Sequence, residues 1–250
     1  MNKVERFQFK CHLLDSMNQT LEQGADVLDL GCGAGDLVKV MRDQGYKGYG
    51  CDLSFKEGVY TDDLAGLGYL RKMSADDFRL PFDDGSFDFV TSDQVFEHIQ
   101  DHDFAVSEIK RVLKPGGIAL HIFPPPLILI EPHVFVPLGA IFQNRSWFLL
   151  WALLGIRTHF QKDITYKETA KQNLKYLESK TNYLTKKNIE RILKQHSFQY
   201  FFCEREMLAH HSSKTRALML FNKIIPIFPW LCRTFVSRAL FMKKGDEKAI

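Results

Sequence analysis

The sequence predicts an α/β fold: a doubly wound, mostly parallel sheet with helices on both faces. Three observations carry that expectation. From residue 25 to residue 123, short apolar runs suited to buried strands alternate with amphipathic runs at helical spacing. The first strand-type run, Val27-Leu28-Asp29-Leu30, passes directly into a glycine loop with Gly31, Gly33 and Gly35 at alternate positions. Acidic residues recur where later strands should end, at Asp52, Asp76 and the pair Ser92-Asp93, and the carboxyl ends of strands are where such sheets bind ligands.

Taken in order, residues 3–23 place Phe7, Cys11, Leu14, Met17 and Leu21 at helical spacing, and Gly24 is the expected stop. A first strand over 25–30 leads through the glycine loop to a helix over 35–44. A second strand over 46–52 ends on Asp52, and Ser54 with Glu57 three residues on predicts a capped helix start. Strands follow over 69–73 and 87–91, then a helix over 103–113. The turn Lys114-Pro115-Gly116-Gly117 leads into a fifth strand over 118–123. From Pro124 the composition turns apolar, aromatic and proline-bearing, which reads as an inserted cap after strand five. Thr185 should cap a further helix, residues 198–206 read as a strand, and residues 237–242 as a last one. The expected organisation is therefore a single domain over 1–250: an N-terminal helix at 1–24, a ligand-binding core at 25–123, a cap at 124–184, and helix and strands at 185–250.

Composition narrows the class. Five cysteines, Cys11, Cys32, Cys51, Cys203 and Cys232, are scattered without a C-x-x-C pair, which argues against a disulfide or zinc framework and for a reducing, cytoplasmic setting. The opening residues read as an amphipathic helix rather than a signal peptide. The net charge of +3 hides a division. Residues 1–120 hold 13 Lys and Arg against 21 Asp and Glu, whereas residues 121–250 hold 20 against 9. A basic second half suits an anionic ligand, nucleic acid or a membrane surface, and equally a set of solvated helices. The apolar run 147–156 is about half the roughly 20 residues of a membrane span, so peripheral contact is the only membrane role expected.

The loop spacing selects among nucleotides. A dinucleotide fingerprint is G-x-G-x-x-G, and here Asp36 stands where its third glycine would be, an acid badly placed for a pyrophosphate. With VLDLGCGAGD, the strand-ending Asp52, ADDFRLPFDDGSFDFVTSDQVFEHI and RVLKPGGIALHIFP in order, the sequence resembles the class I S-adenosylmethionine-dependent methyltransferases, of the group typified by ubiquinone-pathway and small-molecule enzymes. The resemblance covers residues 25–123. It implies a Rossmann-like sheet of seven strands with the last antiparallel, S-adenosylmethionine as cofactor, and transfer of a methyl group to a small-molecule acceptor.

Carried over by position, the resemblance has Gly31, Gly33 and Gly35 form the loop beside the methionine part and Asp52, with Leu53 beside it, accept the ribose hydroxyls. Asp76 would meet the adenine amino group, with Asp77 or Phe78 beside the ring. Ser92, Asp93 and Gln94 would flank the sulfonium. Asp29 either bonds loop amides or touches the ligand. Methyl transfer to a hydroxyl wants a base, and His133 with Glu131, in the segment just beyond strand five, is the leading catalytic candidate; the alternative is a loop histidine that holds the cap. Gln94, Glu97 and His98 would share one helix face, a layout that resembles a metal site in some quinone methyltransferases. Glutamine replaces a carboxylate of that pattern, so no metal is expected. His210-His211 reads as solvated.

The cap and the basic half suggest an amphiphilic acceptor with an anionic or polar head, against the simpler reading that the apolar residues pack the cap or a dimer contact. A nucleic-acid acceptor is not expected, since the tetrad of base-amino enzymes is missing at Ser92-Asp93-Gln94-Val95. The rival classes are a nicotinamide-dependent oxidoreductase and a non-catalytic S-adenosylmethionine-binding protein. The acceptor atom and the oligomeric state are not legible.

Overall fold

A computed structural model describes residues 1–74, 78–211 and 227–246 of the chain. Its centre is a seven-stranded sheet in the order β3-β2-β1-β4-β5-β7-β6. The strands are β1 (Asp26–Leu30), β2 (Lys47–Asp52), β3 (Leu70–Lys72), β4 (Phe87–Asp93), β5 (Leu113–Phe123), β6 (Gln199–Phe202) and β7 (Arg238–Lys243). β1 to β5 pair in parallel, while β7 runs antiparallel to both β5 and β6. The switch of direction between β3-β2-β1 and β4-β5 opens a crevice at the carboxyl edge, beside the glycine loop.

Alternation along the strands divides the core between two faces. Leu28, Val90, Ala119 and Leu240 face one way, onto α4 (His102–Val112) and α7 (Lys186–Gln195), where Ile109 and Leu193 complete the packing. Val27, Phe89, Leu120 and Phe241 face the other way, onto α1 (Lys3–Ser16) and α2 (Asp36–Asp43), where Phe7, Leu14 and Met41 meet them. Burial of nearly every side chain in β1, β4 and β7 explains why those stretches read as continuous apolar runs.

Several boundaries differ from the sequence reading. α1 carries a full capping box between Asn2 and Glu5 but stops at Ser16, because Asn18 takes a left-handed φ of 56° before the chain reaches Gly24. The helix expected at Ser54 does not form there. The Ser54 amide instead lies 3.4 Å from Asp52 Oδ1, the chain runs irregularly to Tyr60, and α3 is the short Thr61–Gly66. The strand expected over 198–206 is β6 only, and Glu204 starts the helix α8 (Glu204–His211). Thr185 does cap α7, through the Asn188 amide.

Residues 124–184 stand between β5 and α7. Their regular elements are α5 (Arg145–Leu153) and α6 (Tyr166–Lys180), which enclose a small core of their own from Val134, Val136, Phe148, Ala152, Ala170 and Leu177. Among the described residues no helix is long and apolar enough to cross a membrane.

Candidate functional site

The carboxyl edge of β1, β2 and β4 assembles the first part of the site. Gly31, Gly33 and Gly35 all hold left-handed φ, at 76°, 58° and 79°, which is why glycine alternates there. Their surroundings differ. A Cβ at Gly31 would collide with Val95, and one at Gly35 would fall 2.7 Å from Leu70, so Gly35 serves the packing of the loop and the start of α2. At Gly33, among the described residues, a Cβ would find only Lys56 Cδ, at an ordinary contact distance of 3.6 Å, so this glycine is the least crowded of the three.

Asp52 ends β2 and its Oδ2 accepts from the Gly33 amide at 2.8 Å, tying the strand end to the loop. Among the described residues Oδ1 makes only the long contact to Ser54, which leaves acceptor capacity for a ligand's hydroxyls. Leu53 beside it is half exposed. Phe78 sits at φ 48° and packs against the core. Asp76 and Asp77 lie outside the described residues. An uncrowded backbone at Gly33 beside a carboxylate at a strand end fits a nucleoside-bearing ligand.

β4 delivers Ser92, Asp93 and Gln94 to three different surroundings. Ser92 is buried, with its hydroxyl 2.8 Å from His121 Nδ1 inside the sheet. Asp93 points to the α1 face, where Lys10 Nζ lies at 3.0 Å and an Arg6 nitrogen at 3.7 Å. Lys10 is fully buried and also bonds Thr91 Oγ1 at 2.6 Å. Burial pushes the nearby Asp29 carboxyl up to about 7, with Lys10 opposing. Gln94 is exposed, at φ 57°. Beside it opens a cavity of about 330 Å³, walled by Phe9, Ile122, Met207, Leu208 and Cys232, with Arg6, Lys10 and Asp93 at its polar side. The sequence reading missed this buried lysine; its only signal was a basic residue on the apolar face of α1.

The cap supplies the second part. Glu131 is fully buried and accepts four bonds: His133 Nδ1 and the Tyr183 hydroxyl reach Oε1, each at 2.6 Å, and the amides of His133 and Val134 reach Oε2, each at 2.8 Å. Burial alone would raise this carboxyl, but the bonds from His133 and Tyr183 outweigh it and hold it below the usual range. Burial opposes the charged form of His133, yet its bond to Glu131 prevails and its pKa is raised.

His133 stands edge-on to His98, ring centroids 4.8 Å apart, and beside Glu97. The helical face expected for Gln94, Glu97 and His98 is absent: Phe96–His98 is a single 3-10 turn, and Gln94 lies before it in a left-handed conformation. Glu97 is buried with both carboxylate oxygens lacking a hydrogen-bond partner among the described residues, and burial raises its carboxyl to about 7. No sequence pattern joins His133 to Glu97, since they come together across more than thirty residues.

Residues 28–121 match the family described as "Methyltransferase domain". Over 128 residues the chain is 34% identical to a demethylmenaquinone methyltransferase of Staphylococcus epidermidis, covering 48% of this chain and 52% of that protein. Over 101 residues it is 37% identical to a 2-methyl-6-phytyl-1,4-hydroquinone methyltransferase of Synechocystis, covering 40% of this chain and 32% of that one. The chain thus spans about half the length, or less, of these curated relatives. In fold it is similar to an S-adenosylmethionine dependent methyltransferase of Mesorhizobium loti, at TM-score 0.54 and 17% identity, covering 96% of this chain and 98% of that one.

Proposed function

We propose that residues 28–121, which match a methyltransferase-domain family, form a class I S-adenosylmethionine-dependent methyltransferase domain, and that the protein methylates a small amphiphilic acceptor of quinone type. The carrying observation is the left-handed glycine loop tied through Gly33 to Asp52 at the carboxyl edge of the sheet. Bound S-adenosylmethionine supplies an electrophilic methyl group on a sulfonium, which departs as a neutral thioether when the acceptor's lone pair forms the new bond. The chain's own part is alignment and exclusion of water. Asp52 offers its carboxylate to the ribose hydroxyls, and Gly31 and Gly33 let the backbone approach the methionine portion.

The acceptor class rests on two supports. The relatives are named for demethylmenaquinone and 2-methyl-6-phytyl-1,4-hydroquinone. The cavity beside Gln94 has apolar walls for such a body, and Arg6, Lys10 and Asp93 give it a polar side. We assign activation of the acceptor to His133. Glu131 is charged and can only accept, so it fixes the imidazole proton on Nδ1 and leaves the Nε2 lone pair free for a hydroxyl proton.

Calorimetric titration with S-adenosylmethionine and, separately, NAD tests the reading. Binding of S-adenosylmethionine alone is expected, and Asp52→Ala should weaken it about 100-fold through loss of two charge-assisted bonds. Binding of NAD alone would overturn the proposal, and an unchanged affinity in Asp52→Ala would remove the ribose contact. Methyl-labelled S-adenosylmethionine incubated with a cellular lipid extract should then place the label on an apolar, quinone-type product.

A further inference from the structure

We propose that Glu97, His98 and His133 form a three-ligand site for a divalent transition-metal ion of the zinc class, which fastens the cap to the turn behind β4. The ligand atoms of these three side chains lie within 4.8 Å of one another, near enough for small side-chain rotations to bring one ion into shared reach.

The hydrogen bonds around the trio argue for an ion more strongly than their proximity does. His98 Nδ1 lies 2.7 Å from the Lys180 carbonyl oxygen, which can only accept, so Nδ1 carries the proton and Nε2 keeps its lone pair. His133 Nδ1 is committed to Glu131 in the same way. Two histidines are thus each pinned by the far nitrogen, one by a carbonyl and one by a carboxylate. This is how proteins orient imidazoles that ligate a metal. Between them Glu97 is buried with both oxygens lacking a protein partner among the described residues. A buried carboxylate without donors is unfavourable unless it takes a proton or a cation meets it, and two imidazole lone pairs beside it favour the cation. Two imidazoles and a carboxylate make a set that zinc and its neighbours accept, with coordination left over for oxygen ligands.

The placement gives the ion a role. Glu97 and His98 belong to the turn that leaves β4, His133 to the loop after β5, and the Lys180 carbonyl closes α6. One ion would therefore join the core to both ends of the cap. Coordination forms dative bonds only and needs no oxidant or reductant. An ion here would engage the same His133 Nε2 lone pair assigned above to the acceptor, so activation by His133 belongs to the metal-free chain; this last point alone rests on the methyltransferase reading.

The full chain, stripped with a chelator and dialysed, is titrated with zinc by calorimetry and with cobalt by visible absorption. One ion per chain is expected, with the d–d absorption of a low-coordinate nitrogen and oxygen site. His133→Ala and Glu97→Gln should each weaken binding at least tenfold, and Glu131→Gln about 10- to 100-fold through loss of orientation. S-adenosylmethionine affinity, measured on the same samples, reports that each variant is folded. Zinc binding of wild-type strength in His133→Ala, or a thiolate charge-transfer band with cobalt, would put the ion elsewhere and sink the proposal, as would no binding at all. A chain that binds S-adenosylmethionine but no zinc loses only this site, and one that binds zinc but no S-adenosylmethionine loses only the methyltransferase reading.

Discussion

His121 lies near the carboxyl end of β5 with no exposed surface, its Nδ1 bonded to Ser92 and its Nε2 without a partner among the described residues. Phe96 covers the ring at a centroid distance of 4.4 Å. Burial, with Lys10 adding repulsion, pushes the imidazole down to about 3. An unfolded histidine titrates near about 6.5, so below that pH the unfolded chain binds the proton first. The neutral ring's contribution is therefore complete above about 6.5 and is lost as the pH falls from there toward 3. Between pH 7 and pH 5 the wild type should lose about 2 kcal/mol of stability that His121→Gln does not lose. Urea unfolding at both pH values measures this, and equal losses in the two proteins would show that the imidazole is hydrated in the folded state. Residues of this kind were not legible. The resemblance sets Ser92 beside the cofactor, and its side chain turns inward to His121. Asp52 and the alternate glycines were legible because backbone conformation and strand-end position constrain residue type locally.

At the scale of elements, α1 is attached to the sheet by charge as well as by Phe7 and Leu14. Lys10 reaches Asp93 and Thr91 from the helix face that also carries the apolar residues, and no exposed part of its side chain remains. Lys10→Met would keep the packing volume and leave Asp93 with Arg6 at 3.7 Å as its remaining cation. Stripping one partner from a buried pair costs roughly 3 kcal/mol. The expected result is a lower urea midpoint and faster amide exchange in α1 than in α4; exchange raised equally in both helices would mean that Lys10 holds the sheet rather than the helix. The periodicity of α1 showed which face is buried. It did not reveal the ion pair, because Asp93 stands more than eighty residues away. The misplaced helix at Ser54 has a similar cause: the serine cap pattern is present, but the Ser54 amide goes to Asp52 at the end of β2.

Over the whole molecule, the segment after β5 that exposes several apolar residues belongs to the more basic part of the chain. Residues 121–250 carry 20 Lys and Arg against 9 Asp and Glu. The cap also exposes Leu129, Ile130, Leu153, Leu154 and Phe160, the last at 93% of its full surface. Exposed apolar side chains on a basic part of the chain suit the surface of an anionic bilayer. Flotation with vesicles containing phosphatidylserine should carry the protein upward, and Leu153→Asp together with Phe160→Asp should leave it in the lower fraction. Protein that stays below with both anionic and neutral vesicles would assign these residues to contacts within or between proteins.

The sequence by itself determined the alternation of strands and helices, the glycine loop, Asp52 at a strand end, and the change of character after strand five. All of these follow from local rules: side-chain period, left-handed φ at glycine, and the position of an acid at a strand end. Only the tertiary structure decided which side chains face one another. It set Glu97 and His98 against His133, Ser92 against His121, and Lys10 against Asp93. Each of these pairings depends on where the cap or α1 comes to rest on the sheet, and packing between elements distant in sequence fixes that position.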